Sequence, residues 1–108
     1  MPSGKLWVQR DRFGNEIYLT EERWQHIIDA DNHPEVEPYF DYIAETIRRG
    51  RRRQDPYDSK GYRYYLAFSD LPDGNNHLVV CVRFRWSSMP DETLREEKFI
   101  TTAYFQFF

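Results

Sequence analysis

The sequence predicts an α+β fold in which helices from the first half pack on an antiparallel sheet built by the second half. Three observations carry that expectation. Apolar residues recur at three- and four-residue spacing between Glu21 and Arg49, the mark of helices with one buried stripe. From Tyr62 onward the period changes to two, as a sheet requires. Between two such alternating runs stands Leu71-Pro72-Asp73-Gly74-Asn75-Asn76, a turn sequence rich in residues that accept positive φ.

Lys5 to Arg10 alternates, with Leu6 and Val8 on one face and Trp7 on the other. Asp11 to Asn15 then reads as a turn and Glu16 to Leu19 as a return strand, so the chain is expected to begin with a short hairpin. Thr20 is an N-cap, with Glu21 and Glu22 opposing the dipole of a helix over about 21–31. Trp24, Ile27 and Ile28 supply its apolar stripe. Asn32-His33-Pro34 ends it, because a proline disfavours helical geometry in the residue before it.

A second helix is expected from about Pro38 to Arg49, its buried stripe formed by Tyr39 or Phe40 with Ile43 and Ile47, and Gly50 stops it. Tyr62 to Ser69 and His77 to Trp86 read as a hairpin. In the return strand Leu78, Val80, Val82, Phe84 and Trp86 are expected to face the core. His77, Val79, Cys81, Arg83 and Arg85 share the other face. Ser87 to Glu97 reads as a polar loop and Lys98 to about Phe107 as a last strand.

A chain of 108 residues has room for one domain, 1–108. Aromatics make up 18% of it, and most of them must be core. The lone cysteine, Cys81, permits no internal disulfide and reads as a small strand residue. No early apolar run follows basic residues and no stretch has the length of a membrane helix. A cytoplasmic location away from membranes is therefore expected.

The net charge of −3 argues against a protein that coats nucleic acid over its whole surface. The charge is unevenly spread, however. Acidic residues crowd Glu21 to Glu45, while Arg48, Arg49, Arg51, Arg52 and Arg53 form a basic run able to track a phosphate backbone. Arg63, Tyr65, Arg83 and Arg85 extend that character onto the sheet, where guanidinium groups would hold a phosphate and a tyrosine would stack a base. The same arginines also fit a solvated strand face and helix end.

Metal-binding spacing, a phosphate loop and a serine-nucleophile elbow are all missing from the sequence. What remains is His26 at the border of the first helix stripe, His33 before Pro34, and Thr102 with Tyr104 on one face of the last strand. Each has an ordinary structural explanation when taken alone.

Together they resemble a known family. The phrase from Tyr18 to Ile27 containing Trp24-Gln25-His26-Ile27, then His33-Pro34-Glu35, then Ile43 to Ile47, is similar to the opening of phage-associated nucleases of the barnase–EndoU–colicin–RelE-like (BECR) fold. Tyr62-Arg63-Tyr64-Tyr65, Leu78-Val79-Val80-Cys81-Val82 and Thr102-Ala103-Tyr104 resemble that family's later strands. The likeness covers about residues 17–105. It implies two helices on a four-stranded antiparallel, RelE/barnase-like sheet, with RNA cleavage that needs neither metal nor cofactor.

The resemblance also implies a catalytic set of His26, His33, Arg83, Thr102 and Tyr104. RNA would be bound by Arg51, Arg52, Arg53, Arg63, Tyr65 and Arg85. In that reading an imidazole removes the 2′-hydroxyl proton, a guanidinium stabilises the phosphorane, and a hydroxyl protonates the leaving oxygen. A toxin or phage-defence role, with a cognate neutralising protein, follows from the same likeness. Two other readings stay open. One is an inactive RNA- or protein-binding module on the same fold. The other is a homo-oligomeric structural protein joined through its C-terminal strand.

Overall fold

The computed structural model describes residues 4–108. Its elements run β1 (Lys5–Arg10), β2 (Glu16–Thr20), α1 (Glu21–Ile27), a 3-10 segment (Pro34–Tyr39), α2 (Phe40–Arg49), β3 (Arg51–Gln54), β4 (Gly61–Ala67), β5 (His77–Ser88) and β6 (Leu94–Gln106). All six strands form one sheet in the order β1-β2-β6-β5-β4-β3. No helix among the described residues is long and apolar enough to cross a membrane.

The class is α+β, but the expected four-stranded antiparallel sheet is corrected to six strands of mixed direction. Two additions make the difference. The N-terminal hairpin joins the sheet through a parallel bridge between Tyr18 and Phe99. On the opposite side the arginine run becomes strand β3, with Arg51 across from Tyr65 and Arg53 across from Arg63. Charged side chains suit that place, because an outermost strand must not invite pairing by other chains.

Both helices are shorter than the sequence predicts. Thr20 caps α1 by accepting from the Arg23 N–H, but α1 stops at Ile27. There the Asn32 side chain donates to the His26 carbonyl, and the His33 N–H donates to the Ile27 carbonyl. Short polar side chains that bond the backbone locally compete with the helical ladder. Pro34 and Pro38 hold the next residues in the 3-10 segment, so α2 begins at Phe40.

At the far end of α2, Gly50 stops the helix in extended rather than left-handed geometry (φ −71°, ψ 160°). It is needed for space: a Cβ there would stand 2.3 Å from the Thr46 carbonyl oxygen and 2.9 Å from that of Tyr65. The chain thus passes from helix to sheet within one residue.

The helices cover one face of the sheet. Trp24, Ile27, Val36, Ile43 and Ile47 meet Tyr64, Leu78, Val80, Val82, Ile100 and Ala103 in the core. Trp86, expected in that core, is 64% exposed, and Phe84 is only partly buried. The cause is the length of the β5–β6 hairpin. Ser87 to Glu97, expected as a loop, is mostly strand, with Arg85 opposite Glu97 and Ser88 opposite Leu94. This arm carries the molecule to 49 Å in its longest dimension.

A β-bulge at Thr101 resets the register between β5 and β6, since Cys81 pairs with Thr102 but Val82 pairs with Ile100. The extra residue turns Ile100 into the core and Thr102 onto the uncovered face, although both are even-numbered. The Thr101 hydroxyl donates to the Cys81 carbonyl.

One polar cluster is buried with the core. Asp11, in the turn of the first hairpin, accepts from the backbone N–H groups of Phe13 and Asn15, the Asn15 side chain and the Tyr64 hydroxyl. It fastens the hairpin to β4. Arg52 lies between the rings of Phe13 and Tyr62, 4.2 Å from each, and donates to the Tyr64 hydroxyl.

Candidate functional site on the uncovered sheet face

Alternation along β3 to β6 puts Arg53, Arg63, Tyr65, His77, Cys81, Arg83, Thr102, Tyr104 and Gln106 on the face that no helix covers. At its centre Arg63 is registered opposite Cys81, which pairs with Thr102 on the other side. Tyr65 is opposite Val79, which pairs with Tyr104. Strand pairing therefore sets Arg63 on β4 and Thr102 and Tyr104 on β6 on neighbouring rungs, with β5 between them.

His33 reaches this group from outside the sheet. Beyond Phe99, β6 has no strand on its outer side among the described residues. The 3-10 segment runs there instead, with Tyr39 edge-on to Phe105 at 5.1 Å. The loop that leads into it brings the His33 ring to 5.8 Å from the Tyr104 ring, at 33° between planes. Glu35 lies 3.4 Å from His33 Nδ1.

Electrostatics sharpen the cluster. Burial pushes the Tyr104 phenol above its ordinary value, and the neighbouring Cys81 and Asp55 add to this against the opposing Arg63. Tyr104 thus keeps its proton at neutral pH. Burial likewise pushes the Cys81 thiol up to about 11, only partly offset by Arg63 and a hydrogen bond with Tyr104. Cys81 is accordingly a neutral packing residue, a poor nucleophile. Arg63 lies 3.6 Å from Asp55, and its Nε is buried with no hydrogen-bond partner among the described residues.

The other expected site residues divide. Arg83 is on the same face but is ion-paired with Asp58, Nε to Oδ2 at 2.9 Å. Arg85 lies further along the arm, 3.4 Å from Glu97 and over the Phe99 ring. Arg51 and Arg53 have no carboxylate at ion-pair distance among the described residues. Arg52, by the alternation of β3, points to the covered face and is held by the Asp11–Tyr64 cluster, apart from Arg51 and Arg53. His26 is exposed in the last turn of α1, and no hydrogen bond or ring contact joins its side chain to Tyr104, Thr102 or Arg83. The helix stripe that made it conspicuous in the sequence turns Trp24 and Ile27 inward and His26 away.

Sequence reasoning missed Asp55, His77 and Phe108. Asp55 comes from the β3–β4 loop and His77 from the start of β5, so no local spacing links them. Phe108 is fixed by Asn76, whose side-chain oxygen accepts its N–H at 3.0 Å. A larger groove, about 620 Å3, lies between the N-terminal hairpin and the arm. Two of its charge pairs are internal, Arg10 with Glu16 and Lys98 with Glu96, and no histidine or cysteine stands among its lining residues.

Among the described residues no group of three His, Cys, Asp or Glu side chains could hold a metal ion. What the uncovered face offers is the imidazoles of His33 and His77, the phenols of Tyr65 and Tyr104 and several guanidiniums around an open surface. Comparison with family models, with curated proteins and with solved structures finds no match for this chain.

Proposed function

We propose that the chain is a metal-independent RNA endonuclease-like domain of toxin or phage-defence type, acting through the uncovered face of its sheet. The observation that carries the reading is the meeting of His33 and Tyr104 beside Arg63. An imidazole exchanges protons near neutral pH, and a phenol held in its neutral form can donate one. If His33 gives its Nδ1–H to Glu35, Nε2 is left as the acceptor for a ribose 2′-hydroxyl. Attack of that oxygen on the adjacent phosphorus forms a phosphorane, whose charge Arg63 would stabilise. Tyr104 then gives its proton to the departing 5′-oxygen, leaving a 2′,3′-cyclic phosphate. Thr102, on the neighbouring rung, orients the phosphate oxygens.

The test is cleavage of a mixed RNA pool in chelator by wild type, His33→Ala, Tyr104→Phe and His26→Ala. His33→Ala is expected to lose roughly 100-fold or more of the rate. A loss confined to His26→Ala would place the proton-transfer role on α1, and absence of cleavage by folded wild type would remove the reading.

One observation favours a second reading, a non-catalytic RNA-binding module. Arg63, Arg83 and Arg85 are each already engaged by a carboxylate, Asp55, Asp58 and Glu97 in turn. Steeply salt-dependent RNA binding with no turnover would select it.

A further inference from the structure

Beside Tyr104 the uncovered face sinks into a concavity of about 460 Å3, within the range that encloses a small ligand. Its floor is Val79, 2% exposed although it faces away from the helices. Its walls are aromatic. The Tyr65 and Phe108 rings adjoin, their centres 5.9 Å apart and their planes tilted by 56°, and His77 meets Phe108 edge-on at 4.7 Å. Asn76 fixes two of these walls. Its side-chain oxygen lies 2.7 Å from His77 Nδ1 and accepts the Phe108 N–H, while its amide donates to the Phe108 carbonyl at 3.3 Å.

The rim is cationic. Arg53 and Arg63 stand directly opposite each other on β3 and β4, a like-charge pairing that weakens a sheet unless something neutralises it. Asp55 addresses Arg63 alone, from 3.6 Å. Arg53 has no carboxylate among the described residues, and the Arg63 Nε is buried without an acceptor. An apolar floor, aromatic walls and two facing guanidiniums at one mouth, Arg53 with no carboxylate and Arg63 with an unused N–H beside its single carboxylate among the described residues, define an occupant that is flat, aromatic and anionic at one end.

We propose that this concavity binds one nucleotide unit, its base against Tyr65 and Phe108 and its phosphate between Arg53 and Arg63. Gln106, also in the lining, presents an amide to the edge of the base. Tyr104 is registered opposite the Val79 floor, so the ribose of a seated nucleotide projects toward the His33–Tyr104 pair. The inference rests on the RNA reading for its substrate class and adds to it the subsite that selects the base.

The experiment is calorimetric titration of the full chain with the four nucleoside 3′-monophosphates and, separately, with inorganic phosphate. At least one mononucleotide is expected to bind roughly tenfold or more tightly than phosphate, as stacking on an aromatic side chain implies. Phe108→Ala and Arg53→Gln, both at exposed residues, should each weaken it about tenfold. Arg10→Ala, in the N-terminal hairpin beside Glu16, should not.

Equal binding of phosphate and nucleotides overturns base recognition. No nucleotide binding by folded wild type, or binding that survives both Phe108→Ala and Arg53→Gln, overturns the site. Nucleotide binding without RNA cleavage leaves the site standing and removes the nuclease reading. Cleavage lost in His33→Ala with no mononucleotide bound does the reverse.

Discussion

Neighbouring residues of β4 meet two different environments. Tyr62 and Tyr64 turn toward the helices, whereas Arg63 and Tyr65 turn toward solvent. On the covered face the polar groups are satisfied. Asp11 collects four donated hydrogen bonds, Tyr64 supplies one of them, and Arg52 is stacked between two rings. On the uncovered face Arg63 keeps a buried Nε with no acceptor among the described residues, and Arg53 faces it with the same charge. One face has completed its interactions within the chain. The other has not, which is the condition for a surface that gains by binding.

The contrast can be broken most forcefully in the core. Ile43 is fully buried under the sheet, so Ile43→Ala is expected to cost about 2–5 kcal/mol in urea unfolding. Thr102→Ala on the uncovered face should cost about 1 kcal/mol or less. Equal losses would mean that both faces serve stability alike.

Thiol chemistry sharpens the same comparison. With Cys81 pushed up from an ordinary 9.0 to about 11, its thiolate fraction near neutral pH falls about 100-fold. Alkylation of the native chain should be slower than that of the urea-unfolded chain by about this factor. Comparable rates would show that the rung between Arg63 and Thr102 is wet.

A smaller effect is expected at Tyr64→Phe, which removes a donor from Asp11 and should cost about 1–3 kcal/mol. Its pH dependence has a definite sign. Burial opposes ionisation of Asp11, but hydrogen bonds from Tyr64 and Asn15 outweigh it and hold the carboxyl below its ordinary 3.8. A folded-state pKa that is depressed stabilises at pH above 3.8, and that stabilisation fades as pH falls below it. The gap between wild type and Tyr64→Phe should therefore narrow in acid, and a gap that widened would contradict the role given to Asp11.

The β4–β5 hairpin was legible because its signals are local. Asp73 and Gly74 both take positive φ (58° and 78°) at the turn the sequence marks, and the flanking strands alternate. β3 was hidden because four residues rich in arginine carry no apolar alternation. The parallel Tyr18–Phe99 bridge was hidden because it joins residues from opposite ends of the chain. The arm was hidden because most of its residues are exposed, which erases the two-residue pattern that reveals a strand.

For the site, Arg63, Tyr65, Thr102 and Tyr104 could be assigned a shared face from parity within each strand. That Thr102 and Ile100 part company depends on the bulge at Thr101, which parity alone denies. His33 became meaningful only through the loop that carries it around the edge of β6. His26 stood out through its nearness to a helical stripe, yet a residue next to a stripe is turned away from it.

The parallel bridge also bears on how the chain is made. Tyr18 emerges from the ribosome roughly eighty residues before Phe99, the strand partner it must find. Until then the opening hairpin has no sheet to join, while β4 and β5 close on each other through a short turn. Because distant closure costs more chain entropy than local closure, the meander is expected to assemble first and the hairpin to dock last. The Asp11–Tyr64 bond would then be the clasp that completes folding.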